Sequence, residues 1–354
     1  MSDQPWVSLE QMPYAHGDPV CSGVIRSCAE DFQVDEELGF SADGEGEHLL
    51  VQIRKRETNT QWLAGQLAQL ASIQKKDVGF AGLKDRHAVT TQWFTLGMAG
   101  RPEPDWRALN DQLIEVLAVH RHRKKLRRGD LQGNHFKLRI RQLSGVPQAI
   151  EARLHRLQEA GMPNYFGEQR FGRDYSNLDQ ADRLFSPSRP RINRSIRGLI
   201  ISAARSQLFN QVLAARIAQG MWNCPIPGDY FQLDGSRGSF ADHEEQPEQL
   251  KRRCSALDIH PTGPLWGRGR SLASADAGLL ESQVLAPFGQ WRDGLEHVGL
   301  KQERRALRVA LKTLQWQFIE DGDLELKFFL PAGCYATAML RELLCYKAPE
   351  VQRQ

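Results

Sequence analysis

Residues 79–93 read Gly79-Phe-Ala-Gly-Leu-Lys-Asp-Arg-His-Ala-Val-Thr-Thr-Gln-Trp93, and their pattern predicts two strands joined by a turn. The apolar run Val78–Ala81 predicts a short buried strand, and Thr91–Leu96 predicts the next strand. The polar triplet Lys84-Asp85-Arg86 lies between them and predicts an exposed turn. Active sites commonly present a reactive loop residue between rigid elements, so Asp85 is the first candidate for catalysis.

The patterns on either side of this stretch predict an α+β protein. From Phe136 to Ile140 apolar residues alternate with Lys and Arg, which predicts a strand with one buried row. The same alternation returns at Leu324–Leu330. Helical spacing follows a cap at Thr60 and again follows Pro147, with Gly161 as the stop. The apolar residues at helical spacing are Trp62, Leu63, Leu67, Leu70, Ile150, Leu154 and Leu157.

The middle of the chain has a different pattern. Arg189–Arg197 is basic and contains proline, so we expect a loop there and a helix at about Leu199–Gln219. Asp229–Phe240 predicts a hairpin around its glycines. Strand patterns resume after Arg304 and lead into a helix that begins near Tyr335, so we expect one domain to be split. Its expected parts are residues 1–158 and 305–354, and the inserted domain is expected at residues 159–304.

The composition is that of a globular protein of the reduced, cytoplasmic compartment. Hydrophobic residues make up 41% of the 354 residues and charged residues 25%, which is enough for a sizeable core. The N-terminal stretch lacks the basic and apolar regions of a secretory signal, and no run approaches the roughly 18 apolar residues of a membrane span. The six cysteines are scattered without C-x-x-C spacing, so we expect no metal site and no disulfide framework.

The net charge is only +3, but the charges are clustered. Residues 121–141 contain nine Lys or Arg and one acid, and residues 183–227 contain seven Arg and no acid. Residues 30–47 are instead strongly acidic. Such clustering favours a basic surface that binds phosphates. The alternative is that these segments are ordinary solvated faces of helices or strands.

Asp85 can act as a nucleophile or as a base, because its neighbours Lys84 and Arg86 favour the charged carboxylate. The alternative is a turn residue that binds its own backbone. Arg26 lies in a strand-like stretch and could form an ion pair that keeps a carboxylate ionised. The alternative for Arg26 is an ordinary arginine on an edge strand.

Several further side chains could bind an RNA base that is flipped out of its stack. Aromatic faces bind such a base at about 1–3 kcal/mol per contact, and the candidates are Phe32, Phe136, Tyr165 and Tyr335. Core packing is the alternative, and it is strongest for Phe136. Asn134 offers both a donor and an acceptor to the edge of a base, or it forms a turn with Gly133. The sequence has no P-loop or dinucleotide fingerprint and no metal-spaced histidines.

Taken in order, eight stretches resemble the TruD family of tRNA pseudouridine synthases along nearly the whole chain. Any one of them alone is a weak match, but eight in order identify the chain as a member of this family. The matching stretches are residues 30–36 (EDFQVDE), 44–48 (GEGEH), 79–93 (GFAGLKDRHAVTTQW), 125–136 (KLRRGDLQGNHF), 163–172 (PNYFGEQRFG), 202–210 (SAARSQLFN), 262–267 (TGPLWG) and 330–337 (LPAGCYAT).

The resemblance implies isomerisation of uridine to pseudouridine in tRNA, at position 13 of the D arm in the bacterial members. It also implies the α+β pseudouridine synthase fold, with a mixed and mainly antiparallel sheet. The catalytic domain of this family is split by an inserted α/β TRUD domain, in a V-shaped molecule whose two domains form a cleft for RNA. The partner is then tRNA, without a cofactor and without a membrane, and we expect a monomer.

The resemblance also assigns roles to individual residues. Asp85 takes the place of the catalytic aspartate, while Phe32, Asn134 and Tyr335 fall where the family has its uridine contacts. Phe136 falls where other pseudouridine synthase families have an active-site tyrosine. Arg26 stands where the family more often has Lys, and Tyr335 where it often has Phe, so charge and aromatic face are kept. The expected RNA-backbone contacts are Arg121, Arg123, Lys124, Lys125, Arg127, Arg128, Arg191, Arg194 and Arg197.

The reaction breaks a glycosidic bond, rotates the base and forms a carbon–carbon bond without redox change or energy input. The target nucleotide must be flipped out, at a cost of a few kcal/mol, which salt-sensitive phosphate contacts would offset. Asp85 would attack the sugar or remove a ribose proton, and the sequence leaves both routes open. Two rival functions also stay open at this point, a catalytically silent RNA-binding module and a metal-dependent hydrolase that uses Asp85.

Overall fold

The computed structural model describes residues 5–98, 100–186, 192–319 and 322–347. The chain forms two compact units, each of which is discontinuous in sequence. The sheet unit comprises Cys21–Val146, Lys312–Gly333 and Cys345–Gln354. The helical unit comprises Met1–Val20, Pro147–Leu311 and Cys334–Leu344.

Strands and α-helices are numbered in chain order within the described residues. They are β1 Cys21–Ile25, β2 Phe32–Glu37, β3 His48–Arg56, α1 Thr60–Leu70, β4 Val78–Phe80, β5 Val89–Gly97, β6 Ile114–His122, β7 Gly133–Gly145, α2 Pro147–Ala160, β8 Met162–Pro163, α3 Ser176–Phe185, α4 Arg194–Ala218, β9 Tyr230–Leu233, β10 Ser239–Ala241, α5 Pro247–Ser255, β11 Ile259–Leu265, α6 Ala275–Val284, α7 Gly289–His297, β12 Glu303–Ala306, β13 Arg308–Val309, β14 Gln315–Phe318, β15 Leu324–Pro331, α8 Ala336–Leu343 and β16 Leu344–Lys347.

The sheet unit is built on one mixed sheet in the order β14-β15-β7-β2-β5-β3-β6. Strand β1 pairs with β7 and β16, and β4 pairs with β5. Strands β2 and β5 run parallel, whereas β15, β7 and β2 pair antiparallel with one another. The predicted strands around residues 78–81, 91–96, 136–140 and 324–330 are confirmed as β4, β5, β7 and β15. The expected mixed, mainly antiparallel sheet is therefore present.

Helix α1 covers one part of this sheet. Its residues Leu63 and Leu67 are fully buried against Leu49, Val51 and Ile53, the inward row of β3. Alternation along β3 therefore supplies one continuous apolar face, and the period of α1 supplies the matching stripe. This packing places the N-terminal end of α1 next to the loop that carries Asp85.

Two predictions about α1 are wrong in detail. Its N-cap is Asn59, not Thr60, because the Asn59 side chain accepts hydrogen bonds from the backbone N–H of Gln61 and Trp62. The hydroxyl of Thr60 is buried and turned toward β5, where it donates to Gln92 Oε1. Trp62 is 52% exposed and does not belong to the buried stripe.

The helical unit contains α2 to α8 around a four-stranded sheet in the order β10-β9-β11-β12, with β8 and β13 as a separate pair. The predicted helix after Pro147 is confirmed as α2, and the predicted hairpin as β9 and β10. Helix α4 begins at Arg194, so the loop predicted up to Arg197 is wrong there. The prolines of this segment end at residue 190, and the backbone N–H of Arg197 donates to the Asn193 carbonyl without obstruction.

Three buried charged side chains of the helical unit hold the irregular segment at residues 9–18. Arg341 donates to the carbonyls of Leu9 and Met12, and Arg153 donates to those of Gly17 and Asp18. Glu342 Oε2 accepts from the backbone N–H of Ala15 and His16. A buried loop must have its backbone polar groups satisfied, and these side chains replace the strand partners that residues 9–18 lack.

The compact units and the predicted domains have different boundaries. Helix α2 and residues 5–20 belong to the helical unit, although the sequence pattern groups them with the catalytic domain. Units defined by packing need not follow the limits of an inserted domain, so the predicted domain limits stay a prediction. No helix in the described ranges has the length and apolar character needed to cross a membrane.

Candidate active site

The loop between β4 and β5 presents Asp85 at the surface of the sheet unit. Its side chain is 42% exposed, which confirms the predicted corner position. The loop is held from behind by Thr60, whose hydroxyl accepts from the backbone N–H of Lys84, and by Gln92, whose amide donates to the Gly82 carbonyl. A rigid loop with one outward carboxylate is a geometry suited to catalysis.

Arg26 lies directly after β1 and forms an ion pair with Asp85. Its Nη2 donates to Asp85 Oδ2 at 2.7 Å, and its guanidinium lies 4.0 Å from the centre of the Phe32 ring. The backbone of Arg26 has φ +60°, a left-handed conformation that is strained for this residue type. Such strain persists where the surroundings fix it, and active sites are the common case. The predicted contact between Arg26 and a carboxylate is present in the structure.

An aromatic cluster lies beside this ion pair. Phe32 is 2% exposed and meets Phe136 edge to face, with ring centres 6.2 Å apart. Phe136 is half-buried and stacks on Phe328 at 5.3 Å. One side of Phe136 thus packs in the core, and the residue remains partly accessible to solvent. Tyr165, another aromatic candidate, is fully buried and donates to the Pro13 carbonyl, so core packing accounts for it.

Asn134 belongs to a buried polar cluster that also contains Lys84 and Glu36. Lys84 Nζ lies 2.9 Å from Glu36 Oε1 and 2.8 Å from Asn134 Oδ1. The second oxygen of Glu36 accepts from the backbone N–H of Trp93 at 2.9 Å. Glu36 and Asn134 are direct partners across β2 and β7, which brings their side chains together. Asn134 therefore lies within a strand, and its interpretation as a turn residue is wrong.

A second buried lysine lies behind the loop of Asp85. Lys55 donates to the carbonyl of Thr58 at 2.6 Å and to that of Asp85 at 3.4 Å. Burial lowers the pKa of Lys55 to about 8, against the opposing attraction of Asp85. Lys55 therefore places a positive charge on the inner side of the candidate site, and this charge is lost at mildly alkaline pH.

These geometric features can be compared with known proteins. The sequence profile of tRNA pseudouridine synthase D (TruD) matches residues 8–179 and 176–343. A tRNA pseudouridine synthase D of Methylococcus capsulatus is 50% identical over 336 residues, which cover 95% of both chains. One of Nitrosococcus oceani is 49% identical and covers 94% of this chain and 93% of its own.

The chain belongs to the TruD family.

Its fold is also shared with a solved structure. A crystal structure from Methanosarcina mazei, of a protein assigned to tRNA pseudouridine synthase D, matches with a TM-score of 0.72 over 96% of both chains. Sequence identity is 22%, so this likeness concerns the fold alone. As a TruD family member, the chain is a pseudouridine synthase, an isomerase with an α+β fold.

The structure brings together five of the six predicted site residues of this TruD family member. Asp85, Arg26, Phe32, Asn134 and Phe136 all lie in the sheet unit, linked through the contacts described above. Tyr335 lies in the helical unit at the N-cap of α8. There its hydroxyl accepts from Arg170 Nε at 2.9 Å, and its ring meets Phe166.

The predicted RNA-backbone residues of the described ranges lie at the surface. Arg121 is exposed near the end of β6. The loop that follows exposes five further basic residues, Arg123, Lys124, Lys125, Arg127 and Arg128. Arg194 and Arg197 are exposed on the first turn of α4 in the helical unit. Arg191 lies outside the described residues.

Sequence reasoning gave no role to Glu36 or Lys55, and it treated Lys84 only as a cation that neighbours Asp85 in the chain. A signal was nevertheless present, because Glu36 continues the buried row of Phe32 and Val34, and Lys55 continues that of β3. A charged residue in an apolar row predicts a buried partner. Across the described part of the chain, no group of three or more His, Cys, Asp or Glu is arranged to hold a metal ion.

Proposed function

We propose that this protein isomerises uridine to pseudouridine in tRNA, at position 13 of the D arm, with Asp85 as the catalytic carboxylate. The observation that carries the proposal is the exposed Asp85 carboxylate on a fixed loop, paired with Arg26. The family membership and the names of the relatives support the activity and the substrate class. The site residue assignments rest on the motifs and on the geometry of the sheet unit.

The ion pair suits either chemical route to pseudouridine. Arg26 neutralises Asp85 from one side and leaves the second carboxylate oxygen free of that contact. An ionised carboxylate can attack the anomeric carbon or remove a ribose proton. In both routes the uracil is released, turns and is bonded again through carbon. The protein therefore has to hold a detached base as well as a sugar.

The proposed base contacts are the aromatic and amide side chains that the family motifs indicate. Asn134 and the accessible side of Phe136 would meet the flipped uridine, with Phe32 supporting Arg26 and Phe136 from within the core. Tyr335 is proposed as a further uridine contact on the basis of its family motif alone. Aromatic stacking of this kind offsets the cost of extracting a nucleotide, which is a few kcal/mol.

The exposed basic residues of β6, its following loop and α4 would bind the tRNA backbone. Phosphate contacts hold a nucleic acid in register without reading its sequence, and they weaken as salt rises. The catalytic domain is proposed to comprise residues 1–158 and 305–354, with residues 159–304 as the insertion. We propose that the protein acts in the cytoplasm as a monomer and without a cofactor.

The test is to map pseudouridine in tRNA before and after incubation with the protein and with its Asp85→Asn variant. The wild type is expected to modify position 13, and the variant to make no pseudouridine while it still binds tRNA. Asp174→Asn is the matched control, because Asp174 is a highly exposed aspartate of the helical unit. Turnover by Asp85→Asn would refute the assignment of the catalytic residue.

Two further assays separate the proposed function from its rivals. Tritium release from 5-tritiated uridine reports isomerisation, so its absence with every RNA tested would favour a silent RNA-binding module. Strand cleavage or hydrolysis that stops on addition of a chelator would favour a metal-dependent hydrolase. Chelator-insensitive pseudouridine formation excludes both rivals.

A further inference from the structure

The buried cluster of Lys84, Glu36 and Asn134 constrains which atoms Asn134 can offer to a base. The Lys84 side chain is 6% exposed and that of Glu36 is fully buried, so neither is a surface ion pair. Lys84 Nζ donates to Asn134 Oδ1 at 2.8 Å and to Glu36 Oε1 at 2.9 Å. Glu36 is itself fixed, because its other oxygen accepts from the backbone N–H of Trp93.

An ammonium group has donors and no acceptor, so it determines the orientation of the Asn134 amide. Only the carbonyl oxygen Oδ1 can face Lys84, and the amide nitrogen Nδ2 must face the other way. Within the described ranges, no side chain or carbonyl accepts a hydrogen bond from Nδ2. Asn134 is half-buried, and its Nδ2 does not belong to the buried side-chain atoms that lack a partner, so this nitrogen is not sealed in the core.

We propose that Lys84 and Glu36 are positioning residues that hold Asn134 as a hydrogen-bond donor, which binds a carbonyl oxygen of the target uracil. The inference rests on the proposed function and deepens it. Asn134 by itself offers a donor and an acceptor, whereas the cluster selects the donor. Glu36 supplies the counter-charge that allows the Lys84 ammonium to lie under the site.

A single fixed donor matches the chemistry of this reaction. Uracil has two carbonyl oxygens, O2 and O4, on either side of N3–H. When the released base turns about the axis through N3 and C6, O4 takes the place that O2 occupied. A donor placed beside that axis therefore meets a carbonyl oxygen both before and after the turn. It would also meet the amino group of cytosine as an unfavourable donor–donor contact at the C4 side.

The first test compares two substitutions of Asn134 in pseudouridine formation on full-length tRNA. Asn134→Ala removes the donor, and the expected loss of kcat/KM is roughly 2- to 10-fold. Asn134→Asp keeps the shape and the contact with Lys84 but turns an oxygen toward the base carbonyl. Its loss is expected to exceed that of Asn134→Ala. An Asn134→Asp variant with nearly wild-type activity would show that Asn134 accepts from N3–H, and would overturn the inference.

The second test replaces the uracil oxygens one at a time by sulfur, a weaker acceptor, using 2-thiouridine or 4-thiouridine at the target position. Wild-type kcat/KM is expected to fall roughly 2- to 10-fold for at least one of the two RNAs. The same thio effect should fall below about twofold in Asn134→Ala. A wild-type enzyme indifferent to both sulfur positions, or a thio effect that persists in Asn134→Ala, contradicts the inference.

The role of Lys84 is tested by the double variant Glu36→Leu/Lys84→Met, which removes both charges and leaves no unpaired buried ion. The amide of Asn134 is then free to turn, so the thio effect is expected to fall as in Asn134→Ala. Thermal unfolding checks that the variant is folded. Arg304→Met/Glu281→Leu is the matched control, since it removes an equally buried ion pair from the helical unit.

The outcomes separate this inference from the proposed function. If the wild type forms no pseudouridine in tRNA, the proposed function fails. If it does form pseudouridine and the control keeps the thio effect, loss of that effect in Glu36→Leu/Lys84→Met supports the positioning role. A folded double variant with an unchanged thio effect overturns it.

Discussion

Replacing Arg26 is expected to lower activity far more than stability. The structure gives this side chain two contacts, a 2.7 Å hydrogen bond to Asp85 and a guanidinium placed 4.0 Å from the centre of the Phe32 ring. The Arg26 and Asp85 side chains are 22% and 42% exposed, so water screens the pair in part. For such pairs the contribution to folding is at most about 1 kcal/mol.

The expected effect on catalysis is larger, because the contact fixes the carboxylate that we propose to react. A hydrogen bond to a charged group contributes about 1.5–3 kcal/mol, and partial exposure places this one at about 1–2 kcal/mol. Arg26→Met should therefore lower kcat/KM by about 5- to 30-fold. Arg26→Lys keeps the charge but loses the flat contact with Phe32, so its loss should be smaller.

The left-handed backbone of Arg26 provides a control for folding. Arg26→Gly removes the same contacts as Arg26→Met but also relieves backbone strain of about 1–2 kcal/mol. We expect the glycine variant to be at least as stable as the methionine variant in urea unfolding and equally impaired in single-turnover pseudouridine formation. Two results would refute this reasoning: a methionine variant within twofold of wild-type activity, or a glycine variant with restored activity.

The remaining predictions concern two other buried cationic side chains, Lys55 and Arg341. Since burial lowers the pKa of Lys55 to about 8, kcat/KM should fall as pH rises through 8 and the ammonium behind Asp85 loses its charge. Lys55→Met should remove this step from the pH profile. Arg341→Met should lower the free energy of unfolding in urea by about 3–5 kcal/mol, because it leaves Glu342 and the carbonyls of Leu9 and Met12 buried without their partner.

Each of these predictions has a control. A lysine whose folded pKa lies below its unfolded value adds stability as pH rises from about 8 to 10.5, so the titration of Lys55 does not itself destabilise the fold there. A pH profile of Lys55→Met identical to wild type would contradict the role of this group. For Arg341 the control is Arg173→Met, at an exposed ion pair, with an expected change of at most about 0.5 kcal/mol. Equal losses in both arginine variants would contradict the account of residues 9–18.

The sequence predicted the elements whose side chains repeat at a fixed period. Strands β7 and β15 could be predicted because their apolar rows alternate without interruption, and α2 because its buried residues follow Pro147 at helical spacing. The predicted start of helix α4 is too late, because the basic residues and the proline of Arg189–Arg197 together predicted a loop over that whole segment, whereas the proline stands at residue 190, before the helix. Composition alone does not break a helix, whereas proline does.

The candidate site could be predicted only in part, because a motif indicates residue types and not the contacts that they make in the fold. The family resemblance named Asp85, Arg26 and Asn134 as candidates, but no local pattern contains the distance between residues 26 and 85. Glu36 continues a buried row, which indicates burial without naming the partner. Lys84 reaches it from a loop some fifty positions away in the chain, and only the folded sheet shows that contact.

The discontinuity of both compact units has a consequence for how the protein is made. Strand β15 lies between β14 and β7, so β7 keeps an open edge on a growing chain until residue 331 has left the ribosome. The backbone of residues 9–18 can be hydrogen-bonded by Arg341 and Glu342 only after these later residues have been synthesised. Neither unit can be completed in the order of synthesis, and an open strand edge invites wrong pairing. A message truncated before codon 331 would therefore leave both units incomplete, and we expect its product to be a substrate for chaperones and proteases.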